Sequence, residues 1–133
     1  MYVRFISPWR THRRGIDGGL FGPAYDLWYD RETPAGLRDA IGHELDAFER
    51  DLPIPPRGSF RVRSRGRWLA DGICWFRDDA RAMIARAHVL AALIGECGVP
   101  IVRNWTDQPG QILYRDPFQI VAKPNHHTPT RWH

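Results

Sequence analysis

Residues 74–123 constrain the fold of this chain more than any other stretch. Apolar residues recur every three or four positions after Asp78, which predicts a helix, and Gly98 stands where a left-handed residue commonly ends one. Beyond Gly98, apolar and aromatic runs separated by turn residues predict three short strands, over residues 99–105, 111–115 and 118–122. This order of elements predicts an α+β fold with a mainly antiparallel sheet.

The helix that begins near Asp78 has one apolar face and an acidic N-terminal end. Asp78 is predicted to cap it, and Asp79 to interact with the positive end of its dipole. The face predicted to be buried comprises Met83, Ala87, Leu90, Ala91 and Ile94. This helix is therefore expected to pack against the sheet or against another helix.

A second amphipathic helix is predicted from Pro34 onward. Thr33 is a suitable N-cap, and Pro34 suits the first helical position. The apolar stripe of this helix comprises Leu37, Ile41, Leu45, Phe48 and Leu52. Prolines at positions 53, 55 and 56 end it. Upstream, residues 2–6 alternate as a strand does, and residues 23–30 predict a short helix.

The remaining segments show no regular period. Residues 9–22 are rich in glycine and arginine and predict a long loop. Residues 53–72 predict either a long loop or a short strand over residues 60–63. Together the elements predict one α+β domain over residues 1–124, with a small, mainly antiparallel sheet and two or three helices packed on one face. Residues 125–133 are predicted to be a flexible tail.

Composition indicates the class of protein and the cellular compartment to which such a domain belongs. The chain has 133 residues, of which 43% are hydrophobic and 26% charged, within the range of globular proteins. It contains no apolar run long enough to cross a bilayer, and its first residues lack a signal-peptide pattern, so we expect a cytoplasmic protein without a membrane partner. Cys74 and Cys97 are expected to be reduced thiols, with a disulfide between them as the alternative.

The positive charge of the chain is carried by arginine. The net charge is +4, and 18 of the 19 basic residues are arginine because Lys123 is the only lysine. A guanidinium group binds phosphate or carboxylate through a planar fork, so this excess fits an anionic partner. A GC-rich coding sequence explains the same excess without any partner.

Three short motifs resemble those of a group of short bacterial proteins. They are Trp75-Phe76-Arg77-Asp78 before the helix, Gly98-Val99-Pro100 after it, and Leu113-Tyr114-x-Asp116-x-x-Gln119 in the last hairpin. The similarity covers most of residues 2–122, apart from the arginine-rich loop. It implies a common fold, and it brings no activity, cofactor or catalytic residue because none is known for that group.

The first candidate ligand-binding set lies at the start of the helix near Asp78. Trp75, Arg77 and Asp78 could form a corner at the helix N-terminus, where anions commonly bind. The same residues also have a purely structural explanation, in which the aromatic residues lead into the helix and Asp78 caps it. The aspartates would themselves occupy the end that attracts anions, which weakens the functional explanation.

The second candidate set straddles the connection between the last two predicted strands. Tyr114, Asp116 and Gln119 could hold a polar substrate or perform acid–base chemistry. A turn built on Asp116-Pro117, with Tyr114 as a half-buried strand residue, explains the same residues without a ligand. Both explanations stay open from the sequence.

A basic segment before the helix offers a third surface. Its arginines lie close together and are followed by a tryptophan: Arg57, Arg61, Arg63, Arg65, Arg67 and Trp68. On a strand, Arg61, Arg63 and Arg65 would point the same way and could follow a phosphate backbone, while the tryptophan could stack on bases. No RNP, KH, zinc-finger or helix-turn-helix motif accompanies them. Nucleic-acid binding is therefore an alternative function.

The sequence predicts neither a catalytic nor a metal centre. Its histidines and cysteines lack the spacing of a zinc site, and no cofactor is expected. The favoured function is a non-catalytic binding or accessory protein acting on another macromolecule, with a protein partner or a second copy of the chain. The alternatives are a nucleic-acid-binding protein using residues 57–67 and an enzyme whose polar pocket comes from Asp78, Tyr114, Asp116 and Gln119.

Overall fold

The computed structural model describes residues 1–8, 18–60, 62–64, 67–69 and 72–131, with the backbone alone at residues 57, 62–64 and 67–69. Within these residues, the α-helices are α1 (Phe21–Tyr29), α2 (Ala35–Asp51) and α3 (Arg81–Glu96), and Arg57–Phe60 is a 3-10 helix. The strands are β1 (Tyr2–Ile6), β2 (Val62–Ser64), β3 (Arg67–Leu69), β4 (Ile73–Arg77), β5 (Val102–Thr106), β6 (Gln111–Arg115) and β7 (Gln119–Lys123).

Five of these strands form one antiparallel sheet in the order β5-β1-β4-β7-β6. Tyr2 lies opposite Arg77 between β1 and β4, and Trp75 lies opposite Ile120 between β4 and β7. The short strands β2 and β3 pair with each other in a separate antiparallel hairpin. The predicted α+β class with a mainly antiparallel sheet is therefore confirmed.

The three helices pack together on one face of the sheet. Val3 and Phe5 of β1 and Phe76 of β4 contact them in one buried cluster. The buried helical members of that cluster are Ala24, Ile41, Leu45, Phe48, Met83, Ala87, Leu90 and Ile94. Both predicted apolar stripes thus supply the core, although their flanking members Leu37, Leu52 and Ala91 are only half-buried.

The opposite face of the sheet carries a second, smaller apolar cluster. It consists of Ile73, Trp75, Ile120 and Ala122, with Tyr2 and Ile112 packed against it. Trp75 is only 1% exposed and Phe76 only 8%. Because successive side chains of a strand point to opposite faces, these two adjacent residues enter different clusters.

Two predicted helix caps are wrong. The Thr33 side chain donates a hydrogen bond to the carbonyl oxygen of Leu27 at 2.7 Å, and Pro34 occupies the N-cap position of α2. Asp78 lies in a turn before α3, whose N-cap is Ala80 without a side-chain hydrogen bond. The Asp78 carboxylate instead lies 3.5 Å from the amino nitrogen of Met1. In both cases the side chain that was expected to cap a helix interacts with a group outside that helix.

Several predicted boundaries move by a few residues. The short first helix begins at Phe21 rather than at residue 23, β5 begins at Val102 rather than at residue 99, and β7 begins and ends one residue late. Of the two alternatives left open for residues 53–72, the short strand is present but begins two residues later than residue 60, as β2, and a 3-10 helix precedes it. Most of the predicted long loop at residues 9–22 lies outside the described residues, which resume at Gly18.

Residues 125–131 make specific contacts with the domain. Thr128 is 7% exposed, and its hydroxyl donates to the carbonyl oxygen of Gln108 at 2.9 Å. The Asn125 side chain accepts the backbone N–H of His127 at 2.9 Å. This end of the chain is thus anchored at Thr128, and the flexibility expected of it remains a prediction.

Cys74 and Cys97 are both half-buried, and no disulfide joins them. Among the described helices, none has the length and apolar character that crossing a membrane requires.

Two glycines with positive φ give a matched test of the turns that end α3 and begin β6. Gly98 has φ 91°, and a Cβ added there would meet open space, whereas at Gly110, with φ 99°, a Cβ would collide with the carbonyl oxygen of Lys123. We expect Gly98→Ala to lower the free energy of unfolding by about 1–2 kcal/mol from backbone strain alone. Gly110→Ala should cost clearly more because the clash is with backbone. Urea unfolding measures both, and equal losses would contradict this account of Gly110.

Candidate functional site

The structure brings Tyr114, Asp116 and Gln119 together at the β6–β7 connection. The Asp116 carboxylate accepts the backbone N–H groups of Phe118 and Gln119, at 2.8 Å and 3.0 Å. It also accepts the Tyr114 hydroxyl at 2.9 Å and the Gln119 side-chain amide at 3.0 Å. The same amide nitrogen donates to the carbonyl oxygen of Pro53 at 2.6 Å. This polar cluster therefore joins the hairpin to the segment that follows α2.

The arrangement of β6 explains how this cluster forms. An irregularity in the β6–β7 register shifts the strand by one residue, so that Ile112 lies opposite Ala122 and Tyr114 lies opposite Val121. Tyr114 is thereby placed on the same face of the sheet as Gln119 and the helices. Without the extra residue, Tyr114 would point to the other face and could not reach Asp116.

The protonation of the cluster argues against acid–base work. Burial pushes the pKa of Asp116 upward, but the hydrogen bonds from Phe118, Gln119 and Tyr114 outweigh it and hold the pKa below its ordinary 3.8. The hydrogen bond to Asp116, together with burial, raises the pKa of Tyr114 above its ordinary 10.0. Neither group readily exchanges a proton near neutral pH, where general acid–base catalysis works best. The arrangement favours the structural explanation of these residues.

Arg77 and Asp78 lie at a different place, on the sheet face opposite the helices. They line an open hollow of about 220 Å³ together with Met1, Tyr2, Arg115 and Ile120. Arg77 donates to the carboxylate of Asp79 at 3.2 Å. Arg115 is exposed and makes no ion pair within the described residues.

Trp75 shares the sheet face of the hollow but is almost fully buried. It lies opposite Ile120, which lines the hollow. Its indole N–H is buried and has no hydrogen-bond acceptor in the described part of the chain. The predicted ligand-binding residues are therefore divided between the β6–β7 connection and the hollow, and the enzyme pocket proposed from both sets is not assembled.

The predicted basic surface lies largely beyond what the structure describes. Arg61 and Arg65 fall outside the described residues, and the backbone alone is described at Arg57, Arg63, Arg67 and Trp68. Arg63 lies opposite Trp68 in the β2–β3 register. The row of Arg61, Arg63 and Arg65 as a phosphate-binding surface remains a prediction.

A further surface, which the sequence analysis missed, lies on the edge strand β5. The guanidinium carbon of Arg103 stands 4.2 Å from the ring centre of Trp105, a cation–π contact. Trp105 is 52% exposed, one of the few large apolar side chains so accessible. The sequence did contain a signal for this contact, because Arg103 and Trp105 are two positions apart and such residues lie on the same face of a strand.

His88 of α3 connects this surface to the core. Its Nε2 atom accepts a hydrogen bond from Arg103 at 2.9 Å, because arginine can only donate. Its ring also meets that of Phe5 edge-on, with 5.0 Å between ring centres. The Arg103 side chain is thus fixed by two contacts while Trp105 stays accessible, and we name Arg103, Trp105 and His88 the edge platform.

Among the described residues, no group of three or more histidine, cysteine or acidic side chains could hold a metal ion.

Comparison with known proteins gives one distant similarity. The chain is 28% identical over 106 residues to the ribosomal RNA small subunit methyltransferase J of Pseudomonas savastanoi pv. phaseolicola, with 78% of this chain aligned. It spans only 34% of that protein's length. No protein-family model matches the chain, and no solved structure matches it.

Substitution of Asp116 tests the structural role of the polar cluster. We expect Asp116→Asn to lower the free energy of unfolding by about 2 kcal/mol at neutral pH, because an amide nitrogen would face hydrogen-bond donors. The lowered pKa means that the carboxylate stabilises the fold above its ordinary pKa and loses this effect as the pH falls below 3.8.

The difference in the free energy of unfolding between the unchanged protein and Asp116→Asn should therefore shrink as the pH is lowered. Urea unfolding at a series of pH values measures it, with Asp107→Asn as the control, an exposed carboxylate in the preceding turn. A loss for Asp116→Asn no larger than that of the control would contradict a structural role for the cluster.

Proposed function

We propose that this chain is a non-catalytic binding protein for single-stranded nucleic acid, and that the edge platform makes the contact. The observation that carries the proposal is the guanidinium of Arg103 stacked 4.2 Å from the centre of an indole that is 52% exposed. Aromatic side chains and arginine planes are the surfaces on which unpaired bases stack.

The platform offers two kinds of contact to such a ligand. Arg103 has five N–H donors, of which one is directed to His88, so others can reach a phosphate or a base edge. Trp105 provides a large apolar face that accepts any base, since stacking needs no particular sequence. Contacts of these two kinds favour an unpaired strand over a duplex, whose bases are already stacked.

Charge supports an anionic partner. The net charge of +4 attracts a polyanion, and the basic segment that contains Arg57, Arg61, Arg63, Arg65 and Arg67 adds positive charge that can attract a phosphate backbone. The distant similarity to a protein named as acting on ribosomal RNA is consistent with an RNA ligand. That similarity spans about a third of the methyltransferase, so we base no methyl-transfer activity on it.

The polar cluster gives the argument for a non-catalytic role. Asp116 already accepts four hydrogen bonds, and Tyr114 and Gln119 are both committed to it. A substrate would have to displace these partners before the carboxylate could act. We therefore assign the cluster to the fold and place the function at the surface, in a protein working in the cytoplasm.

A protein partner is the competing proposal, and the position of β5 is the observation that favours it. An edge strand presents unpaired backbone groups that can pair with a strand of another chain, including a second copy. The charged Arg103 side chain, fixed over Trp105, disfavours close strand addition at this edge. The charge and the stacked pair together favour the nucleic acid.

Binding of a labelled oligonucleotide tests the proposal directly. We expect the protein to bind a single-stranded RNA of about twelve nucleotides in fluorescence anisotropy, and to bind it much more weakly at about 200 mM salt than at about 50 mM. Trp105→Ala should weaken binding about tenfold, the effect of losing one stacked base. Trp105→Phe should retain most of the affinity because a stacking ring remains.

Matched variants separate the platform from general charge and aromatic content. Tyr29→Ala removes an aromatic side chain that is 74% exposed on α1, and Arg31→Gln removes an exposed positive charge near it. Both should bind as the unchanged protein does, while Arg103→Gln should bind more weakly and with a smaller salt dependence. Equal losses in control and platform variants would contradict this site.

Absence of binding at low salt would overturn the nucleic-acid proposal. Sedimentation velocity then tests the competing proposal, that β5 binds a second copy of the chain. A dimer that Trp105→Ala converts to a monomer would identify the β5 edge as an interface between two copies.

A further inference from the structure

We infer that the hollow on the sheet face opposite the helices binds a small phosphate-bearing ligand between Arg77 and Arg115. This site lies apart from the edge platform, because Arg103 and Trp105 share the face of Val3 and Phe5, which pack against the helices. The inference therefore stands independently of the proposed function.

The strand register brings the two arginines to the hollow. Arg115 lies opposite Ile120 on β7, and Ile120 lies opposite Trp75 on β4. Arg77 follows two positions after Trp75, so alternation puts it on the same face. The hollow is thus lined by an arginine from each of two strands, β4 and β6, and by Ile120 of the strand between them.

The surroundings provide more hydrogen-bond donors than acceptors. Arg115 has no ion pair within the described residues, so its planar fork is available to an oxyanion. Tyr2 also lines the hollow, and a tyrosine hydroxyl is a hydrogen-bond donor. The indole N–H of Trp75 is on the same face, but it is buried and Trp75 does not line the hollow, so we assign it no ligand contact.

Two carboxylates lie close to the hollow and are each held by a cation. Asp78 lines it and lies 3.5 Å from the amino nitrogen of Met1. Asp79 accepts a hydrogen bond from Arg77 at 3.2 Å. Because these ion pairs are exposed, they are weak and can rearrange when a stronger anion arrives. Asp79 therefore competes with the ligand for Arg77.

The size of the hollow limits the ligand. Its volume of about 220 Å³ is below that of sites for drug-sized molecules, which begin at about 300 Å³. A phosphate group, alone or at the end of a larger molecule, fits this limit. A terminal phosphate is also favoured over a carboxylate or an internal phosphodiester because it carries up to two negative charges, which matches two arginines.

Titration with inorganic phosphate, followed by amide and arginine side-chain NMR signals, tests the site. We expect the largest shifts at Arg77, Arg115 and Ile120, and affinity about tenfold lower for Arg115→Gln, the effect of losing a charge-assisted contact. Asp79→Asn should bind phosphate more tightly because it releases Arg77. The control Arg81→Gln, an exposed arginine on α3, should bind as the unchanged protein does.

Further titrations identify the ligand class. Acetate at the same ionic strength should shift these signals less than phosphate does. An oligonucleotide with a 5′ phosphate that shifts them, when its 5′ hydroxyl form does not, would assign the phosphate to a nucleic-acid end. Equal response to both oligonucleotides, with phosphate still bound, would point to a free small phosphoester.

The outcomes separate this inference from the proposed function. Arg115→Gln should leave the Trp105-dependent binding of a 5′ hydroxyl oligonucleotide unchanged. Phosphate shifts that are spread evenly over surface arginines would overturn the site. So would an Arg115→Gln variant that is folded, by its NMR spectrum, and binds phosphate with unchanged affinity.

Discussion

The fold depends on a central strand that is apolar on both faces. Trp75 and Phe76 are neighbours in β4, yet Phe76 packs under the helices and Trp75 packs on the other side of the sheet. Burying such large aromatic side chains contributes several kcal/mol each on the scale of core truncations. The strands β1 and β7 therefore have to flank β4, since only a central position can cover both side chains.

With the centre of the sheet occupied by apolar residues, polar chemistry is left to its edges and open ends. The two edge strands differ. In β6 a register irregularity turns Tyr114 toward Asp116, and the hairpin end is closed by hydrogen bonds. In β5 five consecutive residues pair with β1 without irregularity, and Trp105 remains half exposed. A closed edge suits stability, whereas an accessible aromatic residue beside a fixed arginine suits binding.

Local pattern predicted the helices better than it predicted their caps. The stripes that include Ile41, Leu45 and Leu90 are buried, because helical periodicity follows directly from the core-facing side of an amphipathic helix. The caps failed because Thr33 bonds to Leu27 of the preceding helix and Asp78 pairs with the amino end of the chain. A short polar side chain can bond to any acceptor or cation that the fold brings near it. A helix-capping pattern considers only the partners within that helix.

The sequence by itself determined the α+β class, the two long amphipathic helices, the glycine that ends α3 and the position of Tyr114, Asp116 and Gln119 at one strand connection, because each depends on residues close together in the chain. Only the tertiary structure decided which polar residues share a surface. His88 meets Arg103 from another element, and Arg77 and Arg115 reach one hollow from separate strands. Such contacts depend on strand order and on a one-residue shift in register, which reverses the face of every later side chain.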